Sequence, residues 1–248
     1  MRLAIISPPS MLWWCGWGDH IHMALAQGVL NEAGLEYRVY FRARSMAGDY
    51  VILDNGAAEG DTFGSSALNI AAGMIKAKEV VVPDVLNNAQ LTMEYGDAHL
   101  SRLINGKMIV PHGNTIEEWE NCARYLLDRG TVQTIGLPKW SPIQRNVVLD
   151  RIAKLGWHTE LDVHLLGLQG PPDDIKYLAR DYPWIRSVDT GAPIAYAQHA
   201  NYLTQYHEVG HRSLDWNGAA IEEQDPLARY IFENIKLLKS WCHPAGAE

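Results

Sequence analysis

The sequence predicts an α/β fold, a (β/α)8 barrel of the TIM type, formed as one domain over residues 1–248. Three observations predict it. Eight short apolar runs alternate with longer segments of helical period. The chain's 248 residues suit eight such units. Four of the runs also end in a polar group: VILDNG (51–56), VVVPDV (80–85), IVPHGN (109–114) and IRSVDT (185–190). A buried strand that stops at Asp54, Asp84, His112 or Asp189 delivers that group to one rim of the sheet. Parallel α/β proteins build their sites on the rim at the carboxyl ends of the strands. An open doubly wound sheet is the alternative architecture.

Element by element, strands are expected at 3–8, 36–42, 50–54, 79–83, 107–111, 133–137, 162–167 and 185–189. Helices are expected at 19–33, 65–77, 88–105, 115–129, 142–155, 171–181, 194–206 and 226–240. Thr115 precedes Ile-Glu-Glu-Trp, placing acids in a first turn, and Pro171-Pro172-Asp173-Asp174 opens another helix. Gly130 and Gly156 sit where helices stop. Residues 43–49 are too few for a crossover helix between a second strand at 36–42 and a third at 50–54. That strand therefore belongs to a hairpin-like departure or lies outside the barrel. The tail HPAGAE (243–248) is expected to fray.

Composition narrows the function classes. Hydrophobic residues make up 47% and charged residues 20%, which fits a globular chain. The net charge of −8 weighs against non-specific nucleic-acid binding, which needs basic surface. A local basic face from Arg42, Arg44, Arg102, Lys107, Lys139 and Arg145 stays open. Cys15, Cys122 and Cys242 are widely spaced and odd in number, so they form no disulfide framework and no paired zinc motif. His207 and His211 are four apart and could share a helix face, but they lack the glutamate of a HExxH metal motif. The chain opens on RLAIISPPS with no signal-peptide pattern, and no run reaches the ~18 apolar residues of a membrane span. The cytoplasm is the expected compartment, a host's if a phage encodes the chain.

Each rim residue has a bland reading beside a chemical one. Asp54-Asn55-Gly56 is good turn chemistry, and Asp84 and Asp189 suit helix N-caps. His112 suits a structural hydrogen bond. Their shared rim makes the chemical reading attractive. One carboxylate can attack a sugar's anomeric carbon, a second can move a proton, and a third can accept N–H groups of a base. Three aspartates would equally suit a divalent metal. Trp13, Trp14 and Trp17 either stack on a ligand or form a buried aromatic cluster.

These motifs resemble the tRNA-guanine transglycosylase superfamily, in particular its shorter phage and bacterial-island members that insert 7-deazaguanines into DNA. The resemblance covers roughly residues 50–200. LDNGAAEG (53–60) resembles the family's Asp-Ser-Gly-Gly segment, and VVPDVL (81–86) the segment whose Asp recognises the base. VPHGNTIEEW (110–119) resembles the turn carrying a Gln-Gly pair, with His112 in place of the base-contacting Gln. TIGLPK (134–139) resembles the glycine loop that offers backbone groups to the base. HLLGLQGPPDDI (164–175) resembles the Leu-Met-Gly-Val-Gly…Pro-Asp-Asp-Ile stretch, the most specific match. SVDTGAPIAYA (187–197) falls where the nucleophilic Asp is expected. The zinc-binding Cys-x-Cys-x-x-Cys…His subdomain is missing, which makes tRNA a poorer substrate than DNA.

The resemblance implies a pentosyltransferase that exchanges guanine in DNA for a free 7-deazaguanine such as preQ0. It implies Asp189 as nucleophile, Asp54 as base, and Asp84, His112, Gly136, Asn55, Gly56 and Gly167 around the base. No cofactor and no metal are implied, and a homodimer is compatible. Three other readings remain. The chain could act on free nucleosides, bind nucleic acid or a partner without catalysis, or use its rim for a metal.

Overall fold

A computed structural model describes every residue except 33, 61, 62 and 244–248, and Glu59 by its backbone alone. The expected fraying tail lies, apart from His243, outside the described residues. Eight strands form: β1 (Arg2–Ile5), β2 (Ile21–Leu25), β3 (Tyr50–Asp54), β4 (Glu79–Val81), β5 (Gly106–Ile109), β6 (Thr134–Pro138), β7 (Asp162–Leu166) and β8 (Ser187–Thr190). They pair in parallel in the order β1-β8-β7-β6-β5-β4-β3-β2. The two ends of that order, β1 and β2, lie side by side, so the sheet curls into a (β/α)8 barrel. Asp19 fastens the seam. Its N–H donates to the Leu3 carbonyl at 2.8 Å, and its carboxylate accepts from the Leu3 N–H at 2.9 Å.

The helices are α1 (Ala26–Leu30), α2 (Leu35–Met46), α3 (Ser65–Ile75), α4 (Ala89–His99), α5 (Ile116–Leu127), α6 (Arg145–Lys154), α7 (Asp174–Asp181), α8 (Ala192–Ala197), α9 (Tyr206–Val209) and α10 (Ala228–Cys242). Local chemistry sets several starts. Thr115 accepts from the Glu118 N–H at 3.2 Å, and Asn88 accepts from the Leu91 N–H at 3.0 Å. No helix among the described residues is long and apolar enough to cross a membrane.

The second strand is not where the sequence pattern puts it. Residues 36–42 belong to α2, and the expected helix 19–33 divides into β2 and the short α1. All five β2 side chains, Ile-His-Met-Ala-Leu, are buried, so this strand carries no alternation to distinguish it from a helix. In α2, Tyr37 and Phe41 face the core one turn apart, while Leu35, Val39 and Met46 are exposed. Short-range alternation mimics a strand there, and the longer 3.6 period decides. With β2 placed earlier, α2 itself supplies the crossover to β3. The expected helix 194–206 likewise breaks into α8 and α9.

Two apolar layers hold the barrel. The larger lies between the strands and the helix ring. The smaller fills the barrel interior with Ala4, Ile21, Met23, Ile52, Val81, Met108 and Val110. Gly136 belongs to this inner layer. A Cβ there would meet Leu166 and Met108 at 3.0 Å and Val110 at 3.1 Å, so the interior closes around its missing side chain.

The amino-terminal end of the interior is polar. Arg186 donates to Glu79 at 2.8 Å and to the Thr134 hydroxyl at 3.0 Å, and that hydroxyl donates to Glu79. Burial pushes the Arg186 pKa down, but the Glu79 carboxylate more than compensates and raises it. This plug closes one end of the barrel, leaving the other end for a site.

Candidate functional site

A cavity of about 390 Å3 opens at the carboxyl ends of the strands. Asp54, Asn55, Asp84, Gly167 and Asp189 all line it. Small-molecule sites run from roughly 300 to 1,000 Å3, so one ligand of nucleoside size fits and a duplex does not. A second cavity of about 210 Å3 shares Asn55, Ala57 and Asp84 with the first and adds Phe63, Tyr95 and His99.

Asp189 stands near the end of β8 and is 5% exposed. Its Oδ1 faces His164 Nε2 at 3.0 Å and accepts the Gly167 N–H at 3.1 Å. His164 is fully buried, and its Nδ1 lies 2.8 Å from the Ser187 hydroxyl. Burial lowers the His164 pKa, and the Asp189 carboxylate pulls the other way. The neutral ring is the favoured form. Gly167 follows β7 at φ +69°, a conformation that aims its N–H at Asp189 and that side chains resist.

Across the cavity, Asp84 is held at both oxygens. Asn55 Nδ2 donates to Oδ1 at 2.6 Å, and His112 Nε2 sits 2.7 Å from Oδ2. Asn55 also donates to the Val82 carbonyl at 2.8 Å, which ties the end of β3 to β4. His112 Nδ1 accepts the Asn87 N–H at 3.2 Å, so Nε2 carries the ring proton and donates to Asp84. Both His112 nitrogens are thus occupied, and the ring is 3% exposed and outside the cavity lining. The expected contact of His112 with a ligand is replaced by support of Asp84 from behind.

Asp54 ends β3 and is half-buried on the cavity wall. Its Oδ2 accepts the Gly56 N–H at 3.3 Å, and Asn55 Oδ1 accepts the Ala57 N–H at 2.8 Å. The expected turn and the expected site residue are therefore the same structure. Gly56 shapes that turn and does not line the cavity. Gly136 also stays off the wall, because it lies within β6 and faces the packed interior. The expectation that its backbone meets a ligand is corrected.

Two further expectations change. The six basic residues do not form one face. Arg145 is 4% exposed and donates to the carbonyls of Leu137, Leu166 and Gly167 at 2.7–2.8 Å. Burial pushes its pKa down to about 10, still charged at neutral pH. Arg44 pairs with buried Asp49, Lys107 sits low on β5, and Lys139 lines the cavity at the opposite end. Trp13, Trp14 and Trp17 form an aromatic cluster on α10. Trp14 meets Phe232 at 5.0 Å between ring centroids, and Trp17 meets it at 4.6 Å. The aromatic residues on the cavity include Trp140 and Trp216 instead.

The sequence pattern missed His164, Ser187 and Arg145. The first two carried a usable signal. Each lies on the inward face of a strand, two or three positions before a rim residue, and a strand's period of two points both into the barrel. Arg145 gave none, since a basic residue at a helix start reads as solvated. His207 and His211 do not share a helix, because α9 ends at Val209 and Gly210 turns the chain at φ +70°. Among the described residues no group of three or more His, Cys, Asp or Glu side chains is placed to hold a metal ion. A scan of protein-family models finds no match for the chain, and a search of curated proteins finds none either.

Proposed function

We propose that the chain is a base-exchange glycosyltransferase that replaces guanine in DNA with a free 7-deazaguanine. One observation carries the reading. Asp189 and the Asp84–Asn55 pair face one nucleoside-sized cavity, with Asp54 on the same wall. The motif resemblance across residues 50–200 supports it.

The chemistry is a double displacement. An Asp189 oxygen bonds to C1′ as the bond from C1′ to the guanine nitrogen breaks. Guanine leaves with the electron pair as the anion and takes up a proton from solvent water. The incoming deazaguanine gives its ring N–H proton to Asp54, and its nitrogen attacks C1′. The ester bond to Asp189 then breaks, which returns the carboxylate and the original anomeric configuration. Asp84, fixed by Asn55 and His112, accepts N–H groups on the edge of the base. A DNA target must leave its stack to reach C1′ in so small a cavity. Trp140 and Trp216 supply stacking faces at the wall, and Lys139 and Arg212 supply positive charge.

A nucleoside-level exchange is the second reading, favoured by the net charge of −8. The deciding experiment offers labelled guanine, then preQ0, to duplex DNA, single-stranded DNA, tRNA and deoxyguanosine in parallel. Label in DNA supports the proposal. Label only in the free nucleoside selects the second reading, and label nowhere rejects both.

A further inference from the structure

We infer that His164 is a positioning residue for Asp189, and that Arg186 and Ser187 fix its tautomer through a one-way chain of hydrogen bonds. The inference rests on Asp189 being the nucleophile. It extends that reading to three buried residues that touch no substrate.

The direction of the chain follows from donor and acceptor chemistry. A guanidinium only donates. Arg186 Nε lies 3.2 Å from Ser187 Oγ, and its other nitrogens are spent on Glu79, Thr134 and Asp162. Ser187 accepts from Arg186 through one lone pair. Because Asp189 Oδ1 only accepts, the neutral His164 ring keeps its proton on Nε2 and leaves Nδ1 to accept the Ser187 proton, 2.8 Å away. The Nε2 proton points at Asp189 Oδ1, 3.0 Å away. The Gly167 N–H reaches the same oxygen at 3.1 Å. Among the described residues no donor reaches Oδ2, and Asp189 lines the cavity. One oxygen is held and the other is presented.

A Ser, a His and an Asp in hydrogen-bond contact could instead be a serine-nucleophile arrangement. The geometry rules that out. Ser187 is 0% exposed, and neither it nor His164 lines the cavity. The only member of the chain that a substrate can meet is Asp189.

The positioning has a consequence for each half-reaction. During attack it holds Oδ2 at the cavity face without a search over rotamers. When the ester breaks, negative charge returns to a carboxylate that already has two donors in place. Because the base is held elsewhere, by Asp84 and Asn55, loss of His164 alters turnover and leaves base affinity nearly intact.

The test pairs nitrogen NMR of labelled histidine with base-exchange kinetics on whichever acceptor the wild type uses. At neutral pH, His164 is expected as the Nε2–H tautomer, with its proton signal displaced in Asp189→Ala. A His164 ring protonated on Nδ1, or on both nitrogens, overturns the inference. His164→Phe should lower kcat by about 100-fold, the scale of a misplaced reacting group, with KM for the base within about threefold. His164→Gln, whose amide N–H can reach Asp189, should recover at least about tenfold of that loss. Wild-type kcat in His164→Phe overturns the inference. If His164→Phe fails to fold, Ser187→Ala carries the kinetic arm, because it keeps the ring and removes only the tautomer lock. Unchanged kcat there overturns the inference equally. If the wild type exchanges no base on any acceptor, the proposed reaction fails. The NMR arm then still decides whether Asp189 Oδ1 is the held oxygen.

Discussion

Asn55 Nδ2 donates to Asp84 Oδ1 at 2.6 Å, so the residue that leaves β3 holds the carboxylate that follows β4. His112, from the loop after β5, holds the other oxygen of Asp84 at 2.7 Å. Three consecutive strand ends thus converge on one carboxylate. Asp84 needs such support because it is 6% exposed, and a buried charge without donors is costly.

His112→Ala should therefore weaken base binding although the ring does not touch the cavity. A hydrogen bond to a charged group is worth about 1.5–3 kcal/mol, or roughly ten- to a hundredfold in affinity. Titration of the free base into the variant measures it. Binding as tight as wild type would remove His112 from the site.

Asp189→Asn should abolish both base exchange and the covalent sugar–enzyme adduct, which intact-mass spectrometry detects. Asp54→Asn should slow turnover by about 10²–10⁴, the usual contribution of a general base, while an adduct still forms. Full activity in Asp189→Asn would sink the assignment of roles.

Trp140 and Trp14 should separate recognition from packing. Trp140 is 50% exposed at the cavity, and loss of one stacking face costs about 1–3 kcal/mol. Trp140→Ala should weaken a DNA substrate and leave deoxyguanosine unaffected. Trp14 is fully buried, so Trp14→Ala should lower the melting point whatever the substrate.

The plug at the other end of the barrel should carry stability as well as anchor Ser187. Glu79→Ala leaves Arg186 buried without its carboxylate, at a cost of about 3–5 kcal/mol in urea unfolding. Adding Arg186→Met should recover part of that loss, and no recovery would show that the two residues act separately.

Stability should fall on the acid side. Burial lowers the pKa of His164 and of His22, each opposed by a neighbouring aspartate. The unfolded chain then binds protons near pH ~6.5 that the folded chain refuses, so stability rises with pH through that range. From pH ~6.5 downward the loss should approach about 1.4 kcal/mol per pH unit for each such histidine. Despite burial, hydrogen bonds hold Asp19 and Asp49 below the carboxylate range, so their contribution drops only at lower pH, as their carboxylates protonate. Urea melts at pH 7.5, 6.5 and 5.5 test the sign. Equal stability at all three would mean that the histidines titrate normally.

Much of this was legible in the chain. Asp54, Asp84 and Asp189 each follow an apolar run, and each reaches the same rim because parallel strands end on one side. The α5 and α7 starts follow from Thr115 and from Pro171-Pro172-Asp173-Asp174. The swap of strand and helix in residues 19–46 was not legible. A strand buried on both faces has lost the alternation that marks a strand, and α2 carries enough local alternation to imitate one.

By itself, the sequence determined the alternation of strands and helices outside residues 19–46, a number of units that suits a barrel, and the three carboxylates on one rim. Those properties are periodic along the chain and depend on neighbours a few residues away. Tertiary structure alone decided what each polar group touches. It turned His112 from a ligand contact into a support, moved Arg145 from the surface to the core, and linked Arg186 through Ser187 and His164 to Asp189. The physical reason is that hydrogen-bond partners are set by the closure of the barrel. Closure brings His164 to Asp189, His112 to Asp84 and Arg186 to Glu79, 25, 28 and 107 residues apart, separations that no local pattern records.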